Sequence, residues 1–373
     1  MRPERTSALL AAAACALLGA CGAEARAGGA QELATGRFTS SVFDTLQSGE
    51  NPILADPIGL YVDGGGRFVA VDRSDKMLKI YDGAGNYLFG AGKAGPGPGE
   101  FGALWGGGTL SDSLFGYDFT KTSVAMFSPR GEYVRSFNLR RPGDGVPAAV
   151  LPVDDSLLLV VGFPVDAWRR ELLTLVRPDG TVRSRFFSRR AYFTPESPPL
   201  LQSTYVVADA GGGVVMAGLR GGDSVWVFDY DGKQIGSAPI VADGKPLRTY
   251  RSLIEANRGK MQRPDATWVI DGVPALTALV VAEGRQAVLQ VMEVGAADRP
   301  WPDLTEGGRF LLARVDPATG GVWMGADTTL AQGLLGRDDR GRILTYRFVN
   351  EQYDAVELSR LTLTADGRPG GDE

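Results

Sequence analysis

PIGLYVDGGGRFVAVDRSDKMLKIYDGAGNYLFGAG, Pro57–Gly92, is the stretch whose reading decides the fold. It contains four short runs rich in β-branched and aromatic residues, starting at Pro57, Gly66, Met77 and Tyr87. Each run has the alternation and length of a strand. Asp63-Gly64-Gly65-Gly66 separates the first two runs, and glycines there accept positive φ at little cost, as a hairpin turn needs. Ser74-Asp75-Lys76 separates the second from the third, and Asp82–Gly85 the third from the fourth. The stretch therefore predicts four antiparallel strands in sequence order.

Its last turn recurs along the chain. Strand-turn-strand copies stand at Ile80–Phe89, Met126–Phe137, Leu175–Phe186, Val227–Gly236, Arg314–Met324 and Leu361–Pro369. The last glycines of the turns are Gly85, Gly131, Gly180, Gly232, Gly320 and Gly367, at intervals of 46, 49, 52, 88 and 47. A period in that range marks a repeat architecture whose units pack into one array. The long interval marks an insertion. The high content of Gly (51) and Pro (22) among 373 residues, with no collagen period, fits many short strands and tight turns.

Residues 56–101, with the Val71-Asp72-Arg73-Ser74-Asp75-Lys76 and Lys79-Ile80-Tyr81-Asp82 core and the Gly97-Pro98-Gly99-Glu100-Phe101 connector, resemble the NHL-repeat type of β-propeller blade. The resemblance implies an all-β β-propeller, and the hydrophobic pattern of the rest of the chain lays out a six-bladed β-propeller with blades near 56–92, 104–139, 147–188, 204–240, 273–329 and 331–363. The last blade lacks a fourth strand. The alternating run 36–46 has no blade of its own, so it is expected to join the last blade and close the ring, hiding strand edges. The propeller would span 36–369. Three stretches break the rhythm: the Pro-rich Arg189–Ser203, Val241–Gly272 with a short helix expected near Tyr250–Gln262, and Gly295–Gly308 around Trp301. All fall on the face of the connectors and of the loops between second and third strands, where binding is expected.

The N-terminus reads as a targeting segment. Arg2 and Arg5 precede the apolar Ser7–Ala20, which is too short to span a bilayer. Leu18-Gly19-Ala20-Cys21 resembles the bacterial lipobox. That resemblance implies a signal peptide over 1–20, lipidation at Cys21, a tether over 21–35 and an extracytoplasmic, lipid-anchored protein. Gly22 after the cysteine resembles the class sorted to the outer membrane. The alternative is an ordinary signal peptide cut after Ala25 or Ala27.

Composition removes much chemistry. The chain has no histidine, so His triads, His bases and His metal sites are excluded. Only Cys15 and Cys21 exist; the first would be removed and the second lipidated, leaving no thiol. The net charge of −5 with no basic stripe argues against nucleic acid. Gly90–Gly95 and Gly97–Gly102 both satisfy G-x-G-x-x-G, but Pro96 and Pro98 intervene and a strand follows, so they read as connector.

Carboxylates remain: Asp63, Asp72, Asp75, Asp82, Asp112, Asp118, Asp154, Asp155 and Asp166. Most read as turn residues, whose side chains bond nearby N–H groups. The candidate contact residues on the loop face are Asp72, Arg73, Lys76, Lys121, Trp168, Arg169, Arg220, Trp301 and Arg347. The first expectation is a non-catalytic propeller, with no cofactor or metal, that binds a protein, peptide or glycan at the cell envelope. The alternative is an enzyme with a carboxylate or metal site in the channel, by analogy with gluconolactonase-like propellers. Those use acidic and Asn ligands, whereas Asn51, Asn86, Asn138, Asn257 and Asn350 show no repeat at an inner-strand position. A third reading is a structural spacer in an envelope complex.

Overall fold

The computed structural model describes residues 36–47, 54–139, 146–162, 171–188, 206–242, 245–246, 275–282, 285–292, 308–315, 322–330, 332–338, 340–349 and 355–365. All lie in the compact unit Ala34–Glu373. The signal peptide, the tether with Cys21, the Pro-rich stretch, the helix expected near 250–262 and the segment around Trp301 lie outside the described residues, as do Trp168 and Arg169.

The strands follow one plan. After β1 (Gly36–Gln47) come β2 (Pro57–Val62), β3 (Phe68–Asp72), β4 (Met77–Tyr81) and β5 (Tyr87–Ala91). The connector contributes β6 (Lys93–Ala94) and β7 (Glu100–Phe101), which pair in parallel. The second set is β8 (Leu104–Leu110), β9 (Ser113–Asp118), β10 (Ser123–Phe127) and β11 (Tyr133–Asn138). The third is β12 (Pro147–Asp154), β13 (Leu157–Gly162), β14 (Glu171–Val176) and β15 (Val182–Ser188). The fourth is β16 (Val206–Gly211), β17 (Val214–Leu219), β18 (Ser224–Asp229) and β19 (Gln234–Pro239). A small hairpin, β20 (Val241–Ala242) with β21 (Lys245–Pro246), opens the region expected to be irregular. The fifth set is β22 (Ala275–Val281), β23 (Gln286–Met292), β24 (Gly308–Val315) and β25 (Val322–Leu330). The chain closes with β26 (Gly333–Arg337), β27 (Ile343–Phe348) and β28 (Ala355–Ala365).

Sets two to five are separate four-stranded antiparallel sheets. The first set and β26–β28 share one sheet of order β1-β28-β27-β26-β2-β3-β4-β5. Within it β26 and β2 run parallel, Leu60 opposite Gly336 and Tyr61 opposite Arg337. The approach is close: a Cβ on Gly336 would stand 2.1 Å from the Leu60 carbonyl oxygen. β1 pairs antiparallel with β28 from Gly36↔Ala365 to Gln47↔Ala355. The leading strands touch in the order β2–β8–β12–β16–β22–β26, and β26 touches β2. No α-helix occurs among the described residues.

The turns explain the sequence period. Asp82 N bonds Asn86 O, Gly85 N bonds Asp82 O, and the Asp82 carboxylate accepts from the N–H groups of Ala84 and Asn86. Ser128 with Gly131 and Asp229 with Gly232 repeat this arrangement. Gly85, Gly131, Gly180 and Gly232 have φ between +79° and +84°, where a Cβ would be strained. Each such hairpin shifts register by one residue beside the turn, a glycine bulge that adds twist. The same turn also closes the first hairpin of two sets, at Asp63–Gly66 and Asp338–Gly341.

Cores lie between consecutive sets. Val69, Val71 and Leu78 pack with Leu104, Leu114 and Phe127. Phe115, Tyr117 and Val124 pack with Val150, Leu158 and Val160. Leu159 and Leu173 pack with Val215 and Phe228, and Met216 and Val227 with Leu289 and Leu311. Val288 and Phe310 pack with Leu334, Ile343, Leu361 and Phe38 of β1. Leu344, Tyr346 and Leu358 pack with Leu60, Phe68 and Tyr81. A sheet covered on both faces needs unbroken apolar strands, and Leu157–Gly162 is buried at every position. Each large side chain so buried contributes about 1.5–3 kcal/mol.

Candidate binding cavity

The leading strands are irregular where they begin. Pairing of β2 with β3 passes from Pro57↔Asp72 to Gly59↔Val71, leaving Ile58 out of register. Pairing of β8 with β9 passes from Leu104↔Asp118 to Gly107↔Gly116, so Trp105 and Gly106 stand against one residue. β12 skips Ala148 in the same way. Such bulges bend a strand and re-aim its side chains. Here they border a cavity of about 210 Å³. β2 contributes Ile58, Gly59 and Tyr61, β8 contributes Trp105, Gly106 and Gly107, and β12 contributes Ala149 and Leu151. Val71 of β3 and Arg73 just beyond it complete the lining. Gly106 allows β8 to lie against β12, since a Cβ there would be 2.5 Å from the Val150 carbonyl oxygen.

Arg73 is the charged member of this lining. Its Nε donates to Asp56 Oδ2 at 2.7 Å, and its guanidinium carbon lies 6.0 Å from the centre of the Trp105 ring. Trp105 in turn stacks on Phe119 at 4.6 Å and 26°. An ion pair and a cation–π contact thus orient a side chain that is still 46% exposed. Ile58 is 37% exposed, high for a large apolar residue.

The trailing ends of the leading strands are built differently. Arg337, at the end of β26, donates through Nη1 to Asp209 Oδ2 of β16 and to the Val281 carbonyl of β22. Its Nη2 donates to the Val153 carbonyl of β12. Asp209 Oδ2 also accepts from Val281 N–H. Burial pushes the Asp209 carboxyl above the usual carboxylate range, with Arg337 and the Val281 N–H pulling it back. Burial and Asp209 likewise push the Tyr61 hydroxyl far up, so it stays protonated. One guanidinium therefore ties four strands together.

The residues expected to form a loop-face rim have mixed placements. Arg73 lines the cavity. Asp72 is fully buried, with Oδ2 accepting from Ala55 N–H and Lys79 Nζ, and Oδ1 from Ser74 N–H. Lys79 also pairs with Asp75. Asp118 takes the equivalent position in the second set, holding Gly102 N–H and Thr120 Oγ1. Burial raises its carboxyl, but the Thr120 hydroxyl and the N–H groups of Gly102, Lys121 and Ala103 outweigh this and leave it below the usual range. Both carboxylates clamp the incoming connector to the loop after the second strand. Lys121 caps the glycine-rich connector, its Nζ donating to the carbonyls of Glu100 (2.6 Å) and Gly97 (3.2 Å). The two G-x-G-x-x-G matches are thus folded on themselves. Lys76 occupies a turn with φ of +55°. Arg220 accepts at its carbonyl from Leu276 N–H. Arg347 lies within β27 and pairs across the sheet with Glu357 of β28.

Sequence reasoning did not single out Ile58, Tyr61, Asp209 or Arg337. The run Gly106-Gly107-Gly108 inside a strand was the available signal for the bulge, because glycine there marks close backbone approach. Among the described residues, no group of three or more Asp, Glu, Cys or His is placed to hold a metal ion.

No family model matches the chain, and no curated protein matches it in sequence. Among solved structures, it is similar to a member of the DUF4221 family from Bacteroides vulgatus, with a TM-score of 0.59 and 12% identity over 88% of this chain and 99% of that one. It is also similar to a protein of Bacteroides fragilis described as exported, with a TM-score of 0.55 and 10% identity over 88% and 95% of the two chains. Virginiamycin B lyase from Staphylococcus aureus aligns with a TM-score of 0.45 and 10% identity over 87% and 99%. At such identities the first two likenesses concern the fold alone. Together with the repeated four-stranded meanders, they identify a fold of the β-propeller type.

Proposed function

We propose that this chain is an exported, six-bladed propeller, closed by β1 and anchored through Cys21, which binds an envelope partner without catalysing a reaction. The cyclic contacts of the leading strands and the pairing of β1 with β28 support the closed ring. The lipobox-like Leu18–Cys21 and the likeness to an exported protein support the location. The observation that carries the binding reading is the bulge-bordered cavity, where Ile58, Trp105 and Arg73 stand at the open ends of the leading strands. An exposed apolar concavity flanked by an oriented charge is the form of a contact site.

The partner class is a protein, peptide or glycan. Filling the cavity with Ala149→Phe should abolish cross-linking to the partner in intact envelopes while the thermal midpoint shifts little. Undiminished cross-linking would remove the cavity from the function. Separately, Cys21→Ser should release the chain from membranes, and retention with lipid would refute the anchor.

A further inference from the structure

The chemistry of the cavity narrows its occupant. At about 210 Å³ it is smaller than the roughly 300–1,000 Å³ of pockets that enclose drug-sized ligands. It suits one large side chain or one small ring. Its lining carries no carboxylate and no carboxamide, so the hydroxyls of a sugar would be desolvated with few partners. Trp105 already stacks on Phe119, which takes up ring surface a pyranose would need. An apolar group is the better match.

Arg73 adds a second requirement. Asp56 engages its Nε, and neither Nη1 nor Nη2 hydrogen-bonds to a described residue. A guanidinium fork held by an ion pair and an indole ring matches the two oxygens of a carboxylate. Because Asp56 offsets the charge of Arg73, the attraction is directional and short-ranged.

We infer that the cavity bordered by Ile58, Trp105 and Ala149 takes an apolar group of single-side-chain size whose adjacent carboxylate sits on the Nη groups of Arg73. This rests on the reading of the same cavity as the binding site. The chemistry is that of a peptide chain ending in an apolar residue, or of a free aromatic acid.

Calorimetry on the full chain tests it with Gly-Ser-Gly-Phe as the free acid, the same peptide as its C-terminal amide, and phenylacetate. The free acid is expected to bind at least tenfold more tightly than the amide. Arg73→Gln should bring the acid down to the affinity of the amide. Phenylacetate binding as tightly as the peptide acid would identify a free acid as the source, and weaker binding a chain end; both support the shared chemistry. Equal affinity of acid and amide for the unmodified chain would overturn the inference, and so would no binding by any of the three. If acid and amide bind alike while cross-linking to the partner is still lost with Ala149→Phe, the carboxylate inference falls and the docking reading stands. If Ala149→Phe changes neither cross-linking nor peptide binding, both fall.

Discussion

The two ends of the leading strands are made to opposite rules. At the leading ends, bulges put Ile58 and Trp105 out of register, and Arg73 is oriented but half exposed. At the trailing ends, Arg337 spends its donors on Asp209, Val281 and Val153, drawn from three other strands. One end keeps apolar surface and a donor fork available, and the other uses its polar groups to hold strands together. Exposed apolar surface and strand-tying polar groups thus lie at opposite ends of the leading strands, and each can be perturbed alone.

The largest effect is expected at the trailing end. Arg337→Met leaves Asp209 buried without its charged partner and should cost about 3–5 kcal/mol in denaturant unfolding. A loss below ~1 kcal/mol would show that the tie contributes little. Gly336→Ala tests the adjacent close approach. Its Cβ would meet the Leu60 carbonyl oxygen, and separating β26 from β2 should cost about 2–3 kcal/mol by the same measurement.

Asp118→Asn should cost about 2 kcal/mol at neutral pH, through loss of charge-assisted hydrogen bonds to the connector. The folded pKa of Asp118 lies below its unfolded value, so its contribution is present above the unfolded carboxylate range and is lost as pH falls through the folded value. The variant should therefore show a shallower acid limb in a stability-versus-pH series. An unchanged limb would place the acid sensitivity elsewhere.

The smallest change in stability, under about 1 kcal/mol, is expected for Ile58→Ser, because the side chain is already 37% exposed. Partner cross-linking should nevertheless fall. Full retention of cross-linking would erase the contrast between the two ends.

Much of the fold was legible because turn chemistry is local. An Asp or Ser accepting from N–H groups two and four residues on, followed by a glycine with positive φ, can be read from five letters, and Asp82–Asn86 shows it. Buried second strands such as Leu157–Gly162 were legible as apolar runs. The site was less so. Asp72 and Lys121 looked like rim residues because a charge in a loop has no sequence mark that separates solvation from clamping; only the N–H and carbonyl groups around them do. Arg337 and Asp209 are 128 residues apart, and neither carries a motif that names the other. The bulge at Trp105 had one local mark, the glycines after it, which alone do not say that a cavity lies beside them.

The pairing of β1 with β28 also sets a timetable. β1 is among the first parts of the folded unit to be made, yet its partner is complete only some 300 residues later, since Gln47 pairs with Ala355 and Gly36 with Ala365. Until β28 is present, Phe38 has no Leu361 to pack on, and β1 has no strand to pair with. A late, long-range step of this kind slows folding and leaves strand edges open to other chains. A factor that shields β1 until β28 arrives would act on the yield of folded protein without altering its final stability.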